Sequence, residues 1–131
     1  MTKVVIDTNY IVRFLSPQKN EHFKEASDLF YEIQKEKIIG YVNICVIHES
    51  FYVLKIFYKV DPIAIKSGLS DLLNLKNIKV IEYNKKDVIE MIALAVESNL
   101  DFTDAVVLFN SKQLGAQVKS FDKKVTKLAK G

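Results

Sequence analysis

The stretch Lys3-Val4-Val5-Ile6-Asp7-Thr8-Asn9 runs from β-branched apolar residues into an acid and then into two short polar residues. An unbroken apolar run is typical of a strand that is buried on both faces, as strands are in parallel sheets. The residues after it are apolar at helical spacing, so the pattern predicts a strand that ends at Asp7 and turns at once into a helix. Because open α/β sheets bind ligands at the carboxyl ends of their strands, Asp7 is the first candidate for chemistry.

The rest of the sequence alternates between strand and helix patterns. Predicted strands cover residues 3–7, 38–42, 78–81 and 116–121, and predicted helices cover about 9–15, 21–37, 43–59, 61–75, 84–99, 102–114 and 123–130. Such alternation favours a parallel sheet between layers of helices, joined by right-handed crossovers. We therefore predict a single α/β domain over residues 1–131, a three-layer sandwich with a central parallel sheet of about four strands flanked by helices.

Composition is that of an ordinary soluble domain, with 49% hydrophobic and 27% charged residues among 131. No apolar run is long enough for a membrane span, and the first residues do not form a signal peptide. Cys45 is the only cysteine, which excludes an internal disulfide and a cysteine zinc cluster and predicts a cytoplasmic protein. The net charge of +3 favours a polyanionic partner only weakly, because solubility alone accounts for a charge of this size.

Several acids stand where such a fold could gather them. Asp122 follows the fourth predicted strand as Asp7 follows the first. Asp101 and Asp104 lie three residues apart at the start of a helix, and Glu49 lies on an unusually apolar helix, where burial of a carboxylate is costly. Taken singly, the aspartates have a structural explanation as helix caps or as partners of the helix dipole. A purely structural role explains Glu49 least well, because its neighbours are apolar.

If the first and fourth strands are neighbours in the sheet, these acids meet at one crevice. Carboxylates held close together raise one another's pKa, and a hard divalent cation is the natural compensation. An all-oxygen set of ligands favours Mg²⁺ or Mn²⁺ over Zn²⁺. Carboxylate cages of this kind serve phosphodiester cleavage.

Four segments in this order then resemble a known family: the strand-Asp-Thr-Asn of residues 3–9, the Glu within 46–54, the Asp-Phe-Thr-Asp-Ala-Val-Val of 101–107 and the Ser-Phe-Asp-Lys-Lys of 120–124. Over essentially the whole chain they resemble the PIN-domain ribonucleases, in particular the small VapC-type toxins of prokaryotic type II toxin–antitoxin pairs. The resemblance implies a compact α/β fold and a Mg²⁺- or Mn²⁺-dependent endoribonuclease that hydrolyses RNA. It also implies a homodimer that is neutralised by a cognate antitoxin protein.

Matched by motif, the resemblance assigns the catalytic, metal-binding acids to Asp7, Glu49, Asp104 and Asp122. Asp101 matches an extra acid one turn before Asp104 that assists the metal, for example through water. Thr8 and Asn9 match a polar pair whose expected task is to hydrogen-bond and orient the carboxylates. One departure from many relatives is the end of the chain, where residues 123–131 have the pattern of a helix rather than of a fifth strand.

Three basic residues are candidates for RNA contact: Arg13, Lys119 and Lys123. A guanidinium suits phosphate recognition, although a surface ion pair explains Arg13 equally well. Lysines neutralise backbone phosphates, but their usual place is a solvated face.

Three other functions are alternatives to the nuclease. A PIN-like domain that no longer cuts would serve as an RNA- or protein-binding module, although the presence of all four matched acids argues against it. A phospho-acceptor signalling domain would need an acidic pair after the first strand, which is missing. A phosphatase of the Asp-x-Asp type is excluded because position 9 is Asn.

Overall fold

The computed structural model describes residues 1–19 and 21–130. Its strands are β1 (Thr2–Ile6), β2 (Ile38–Val42), β3 (Ile78–Val80) and β4 (Gln117–Lys119). Its α-helices are α1 (Thr8–Leu15), α2 (Phe23–Gln34), α3 (Ile44–Tyr52), α4 (Pro62–Leu73), α5 (Lys85–Glu97), α6 (Phe102–Leu114) and α7 (Lys123–Lys130). In the described residues, no helix is both long enough and apolar enough to cross a bilayer.

The four strands form one parallel sheet in the order β3-β2-β1-β4. The predicted fold class is confirmed, and β1 and β4 are indeed neighbours, with Val5 paired with Val118 and Ile6 with Lys119. The ladder extends one residue further, because the Asp7 amide donates to the carbonyl of Lys119 at 3.0 Å. All strands therefore deliver their carboxyl ends to one edge of the sheet.

The centre of the sheet is also the centre of the core. Val4, Val5 and Ile6 are fully buried, which explains why β1 is apolar at consecutive positions rather than alternating. Gly40 lies beside them on β2, where a Cβ atom would come within 2.9 Å of the terminal methyl groups of three isoleucines. Its lack of a side chain makes room for this packing.

Helix ends follow the capping signals in the sequence. The side chain of Asn43 accepts from the amide of Val46 at 2.8 Å and starts α3. Asp61 caps α4 ahead of a proline, and Asn84 forms a reciprocal capping box at the start of α5. Gly115, at a φ of +62°, ends α6 in the left-handed conformation that favours glycine.

Most predicted elements are a few residues shorter in the structure, and two of these differences have a visible cause. The long helix predicted over 43–59 is α-helical only to Tyr52 and continues as a π-helical segment, Val53–Phe57, in which the amide of Tyr58 donates to the carbonyl of Val53. The strand predicted over 116–121 ends at Lys119. It ends there because the amide of Phe121 donates to the side chain of Asn9 instead of to a neighbouring strand. As expected, residues 123–130 are helical.

Candidate metal centre

A cavity of about 310 Å³ opens at the carboxyl ends of β1 and β4. All five acids predicted from the sequence line it, together with the two polar residues after the first acid and one arginine: Asp7, Glu49, Asp101, Asp104, Asp122, Thr8, Asn9 and Arg13. These residues come from four places along the chain, and the sheet topology is what gathers them. Asp7 ends β1, Glu49 lies on α3, Asp104 lies in the first turn of α6, and Asp122 follows β4.

Asp7 is the most deeply held of the acids, with 3% of its surface exposed. One carboxylate oxygen accepts from the amide of Thr8 at 2.8 Å, as a helix cap does. The other oxygen accepts from the hydroxyl of Ser120 at 2.6 Å. Asp7 therefore caps α1 and lines the cavity at the same time, and hydrogen bonds to both of its oxygens fix the orientation of the carboxylate.

Ser120 is the residue that sequence reasoning missed. Besides donating to Asp7, its hydroxyl oxygen accepts from the side-chain amide of Asn9 at 3.2 Å and from the backbone amide of Asp122 at 3.0 Å. The last contact is the short turn that a serine makes with the amide two residues on, and a serine two positions before an acid is its only signal in the sequence. One hydroxyl thus links the acids that follow β1 and β4.

The remaining acids reach the cavity from helix ends and from a helix face. Asp101 occupies the N-cap position of α6, but its side chain makes no capping hydrogen bond. Asp122 does cap its helix, accepting from the amide of Lys124 at 2.9 Å. Glu49 and Asp104 are half-buried. The helix-cap explanation thus holds for the side chain of Asp122 and does not hold for that of Asp101.

These acids share one electrostatic environment. The pKa of Asp104 is raised to about 6, chiefly by burial and then by repulsion from Asp7, Asp122, Glu49 and Asp101. The pKa of Asp7 is also raised by burial, against the lowering effect of its hydrogen bonds from Ser120 and Thr8. Repulsion from Glu49 and Asp122 adds to the rise. The cluster therefore resists full ionisation unless positive charge is brought to it.

The PIN domain profile matches residues 4–131. The chain belongs to the PIN domain family. No curated protein matches it in sequence. Among solved structures, it is similar in fold to VapC20 of Mycobacterium tuberculosis, described as a sarcin-ricin loop cleaving toxin, with a TM-score of 0.77 and 13% identity over 95% of this chain and 93% of that one.

Two further structures share this fold. VapBC2 of Rickettsia felis, solved bound to a DNA fragment from its promoter, has a TM-score of 0.70 and 15% identity over 97% of this chain and 93% of that one. PAE2754 of Pyrobaculum aerophilum has a TM-score of 0.68 and 20% identity over 99% of this chain and 88% of that one. At these identities the likeness establishes the PIN fold of the chain over nearly its whole length.

The donors of this PIN domain suit a hard divalent cation in chemistry and charge. All are carboxylate or hydroxyl oxygens, and the buried hydroxyl of Thr8, which lines the same cavity, has no hydrogen-bond partner among the described residues. In residues 1–19 and 21–130, however, no three Asp, Glu, His or Cys side chains already converge into a group that could hold a metal ion. The carboxylates thus share a cavity without forming a finished coordination shell.

Contrary to the expectation, Thr8 and Asn9, the polar pair after Asp7, do not both bond the carboxylates through their side chains. The amide of Thr8, rather than its hydroxyl, bonds the carboxylate. Among the described residues, Asn9 forms no hydrogen bond with a carboxylate. Its side chain instead holds the residues after β4, accepting from the amide of Phe121 and donating to the hydroxyl of Ser120. Asn9 therefore orients Asp7 only through the serine.

The three basic candidates lie in different places. Arg13 lines the acidic cavity. Lys119, the last residue of β4, lines a different cavity, which Ser120 also lines. Lys123 is exposed at the start of α7, next to Asp122. Only Arg13 therefore shares the cavity of the acids.

Proposed function

We propose that this PIN domain is a divalent-metal-dependent endoribonuclease and the toxin of a prokaryotic type II toxin–antitoxin pair. The observation that carries the proposal is the single cavity that five acids from distant parts of the chain line together. The raised pKa of Asp104 supports it, because such a cluster is stabilised by a cation and perturbed groups concentrate at functional sites. The similarity in fold to a toxin described as cleaving RNA supports the choice of substrate.

Asp7, Glu49, Asp104 and Asp122 are the residues that would hold Mg²⁺ or Mn²⁺, with the exposed Asp101 assisting at the rim. A cation bound there would polarise a phosphoryl oxygen and lower the pKa of a bound water. The chain's own contribution is orientation. Ser120 and the amide of Thr8 fix the two oxygens of Asp7, and the capping bonds of Asp122 fix its carboxylate. Such supporting contacts tune metal affinity in protein sites.

We also propose a cognate antitoxin and a second copy of the chain as protein partners. The fold similarity to VapBC2 supports an antitoxin. An apolar face on α5 supports a homodimer, because Ile89, Ile92 and Val96 are 61%, 51% and 77% exposed at helical spacing. The cytoplasm stays the predicted compartment, on the ground of the lone Cys45.

The decisive experiment is cleavage of single-stranded RNA with Mn²⁺ by the wild type and by Asp7→Asn. Asparagine keeps the shape of the side chain and removes the charge, so we expect the rate to fall at least a hundredfold, roughly the upper end of what losing a supporting residue costs a metal site. Asp71→Asn, an exposed change on α4, is the matched control and should leave the rate unchanged.

Equal cleavage by Asp7→Asn and the wild type would contradict the assignment of the nuclease site to this cavity. If the wild-type chain binds RNA but cleaves none with Mn²⁺ or with Mg²⁺, even after any antitoxin has been removed, the result would instead favour the non-cleaving PIN-like binding module.

A further inference from the structure

A second cavity, of about 300 Å³, lies between β4 and α7 at the outer edge of the sheet. Its polar lining includes Gln117, Lys119, Ser120, Thr126 and Lys130, and no Asp or Glu lies among its lining residues. The acidic cavity next to it carries five carboxylates and one guanidinium. Two adjoining cavities of opposite charge therefore flank the end of β4.

The two lysines of this edge cavity form no ion pair with the described residues. In the part of the chain that the structure describes, no carboxylate lies within the 4.0 Å ion-pair distance of Lys119 or Lys130. Lys119 also lines a third cavity, together with Glu25, Asp28 and Glu32, and it forms an ion pair with none of them. Two cations that face a polar cavity without a carboxylate partner favour an anionic ligand.

Ser120 joins the two cavities. Ser120 lines the edge cavity, and its hydroxyl donates a hydrogen bond of 2.6 Å to Asp7, which lines the acidic cavity. With the proposed cation bound among the acids, a ligand that occupied both cavities would present negative charge at two neighbouring points. A polynucleotide backbone does this, because it repeats a phosphate at every nucleotide.

We propose that the edge cavity binds a backbone phosphate of the RNA strand, next to the phosphate presented to the acids. The proposal rests on the proposed function and specifies how its substrate is held. Acids alone repel a polyanion, so a strand needs cationic contacts beside them. Two lysines hold a free phosphate weakly in water, whereas a strand held at the adjacent site presents its next phosphate at high effective concentration.

The test measures binding rather than cleavage, with fluorescein-labelled single-stranded RNA followed by anisotropy in Ca²⁺, a hard cation with oxygen ligands that takes the place of Mg²⁺ or Mn²⁺ among the acids. The charge-removing pair Lys119→Gln/Lys130→Gln should weaken binding roughly tenfold at low salt and reduce the slope of log Kd against log salt by about 0.7 per lysine. The charge-keeping pair Lys119→Arg/Lys130→Arg should bind as the wild type does, and thermal melts should show all variants folded.

The matched control is Lys66→Gln/Lys79→Gln, which removes the same charge at the opposite edge of the sheet. Lys79 lies on β3 and Lys66 on α4, the helix that packs against it. This pair should change affinity less than about twofold, as a general charge effect alone would. Equal losses in the two glutamine pairs, or no loss in the first, would overturn the proposal.

Inorganic phosphate separates a polynucleotide site from a site for the free anion. If phosphate alone shifts the NMR signals of the Lys119 and Lys130 ammonium groups as strongly as RNA does, the assignment to a polynucleotide is overturned. Selective loss of RNA binding in the glutamine pair, without Mn²⁺-dependent cleavage by the wild type, would retain this site and refute the nuclease. The two proposals therefore fail separately.

Discussion

At the scale of single residues, the site depends on side chains that serve two purposes at once. Asp7 caps α1 and lines the acidic cavity, and Asp122 caps α7 and lines the same cavity. The hydroxyl of Ser120 uses its one proton on Asp7 and accepts from the amides of Asn9 and Asp122. Because every bonding position of this hydroxyl is occupied, the two acids are held in a fixed relation.

The first prediction concerns the titration of Asp104. Its pKa of about 6 should appear as the midpoint of its carboxyl-carbon shift in an NMR titration of the metal-free chain. Asp122→Asn should lower this midpoint without restoring the ordinary value of 3.8, because burial is the larger cause. The distant Asp28→Asn should leave it unchanged. Added Mg²⁺ should lower it too, since a bound cation favours the carboxylate.

The same pKa sets the direction of the pH dependence. A carboxyl group with a higher pKa in the folded than in the unfolded chain opposes folding once it ionises. The contribution of Asp104 to the free energy of unfolding should therefore fall as the pH rises from about 4 to about 6, and metal affinity should rise over that range. A midpoint near the ordinary value of 3.8 would show that the acids do not share a buried environment.

At the scale of elements, β1 positions the site because its packing and its pairing with two neighbouring strands hold it in place. β1 is buried on both faces and pairs with β2 on one side and β4 on the other. Gly40 on β2 lets the packing close around that pair, where Ile6, Ile33 and Ile78 all approach the point that a Cβ would occupy. The position of Asp7 therefore depends on packing at a residue far from it in sequence.

The second prediction is that Gly40→Ala destabilises the fold by about 1–3 kcal/mol, the usual cost of an added methyl group in a packed core. The reduced freedom of the unfolded chain offsets only part of this cost. Urea unfolding midpoints are the measurement.

Gly68→Ala is the control for Gly40→Ala. It lies within α4, where alanine is favoured over glycine and only the side chain of Leu15 is near, at 3.3 Å. We expect this variant to be as stable as the wild type or more so. Equal stability of Gly40→Ala and the wild type would mean that the isoleucines around β2 are loosely packed.

At the scale of the whole molecule, α5 has apolar residues on two faces. Met91 is buried, while Ile89, Ile92 and Val96 are exposed. A helix whose apolar residues extend around its outer face is suited to burial against a further surface.

The third prediction tests the proposed homodimer. Sedimentation equilibrium should show a monomer–dimer equilibrium for the wild type. Ile92→Lys should shift it towards the monomer, because a charge would be buried at the apolar contact. Ile63→Lys, which puts the same charge on an exposed residue of α4, should not shift it. A wild-type chain that is monomeric at all concentrations would refute the homodimer.

The sequence by itself determined most of the elements and the five acids that line the acidic cavity. Apolar runs, capping residues and turn glycines are local signals, so the strand into Asp7, the caps at Asn43 and Asn84 and the helix after Asp122 all stand as predicted. The five acids were recognisable because each follows a strand, starts a helix or interrupts an apolar face.

Only the tertiary structure decided how those residues meet. The contact between Ser120 and Asp7 spans 113 positions and depends on the pairing of β4 with β1, which no local pattern encodes. The early end of β4 also depends on a long-range contact, because the side chain of Asn9 accepts a hydrogen bond from the amide of Phe121. That no carboxylate of the described residues pairs with the edge-cavity lysines likewise follows from which side chains the fold brings near. Local sequence sets conformation because its interactions are between near neighbours, whereas a site is a set of long-range distances that only packing fixes.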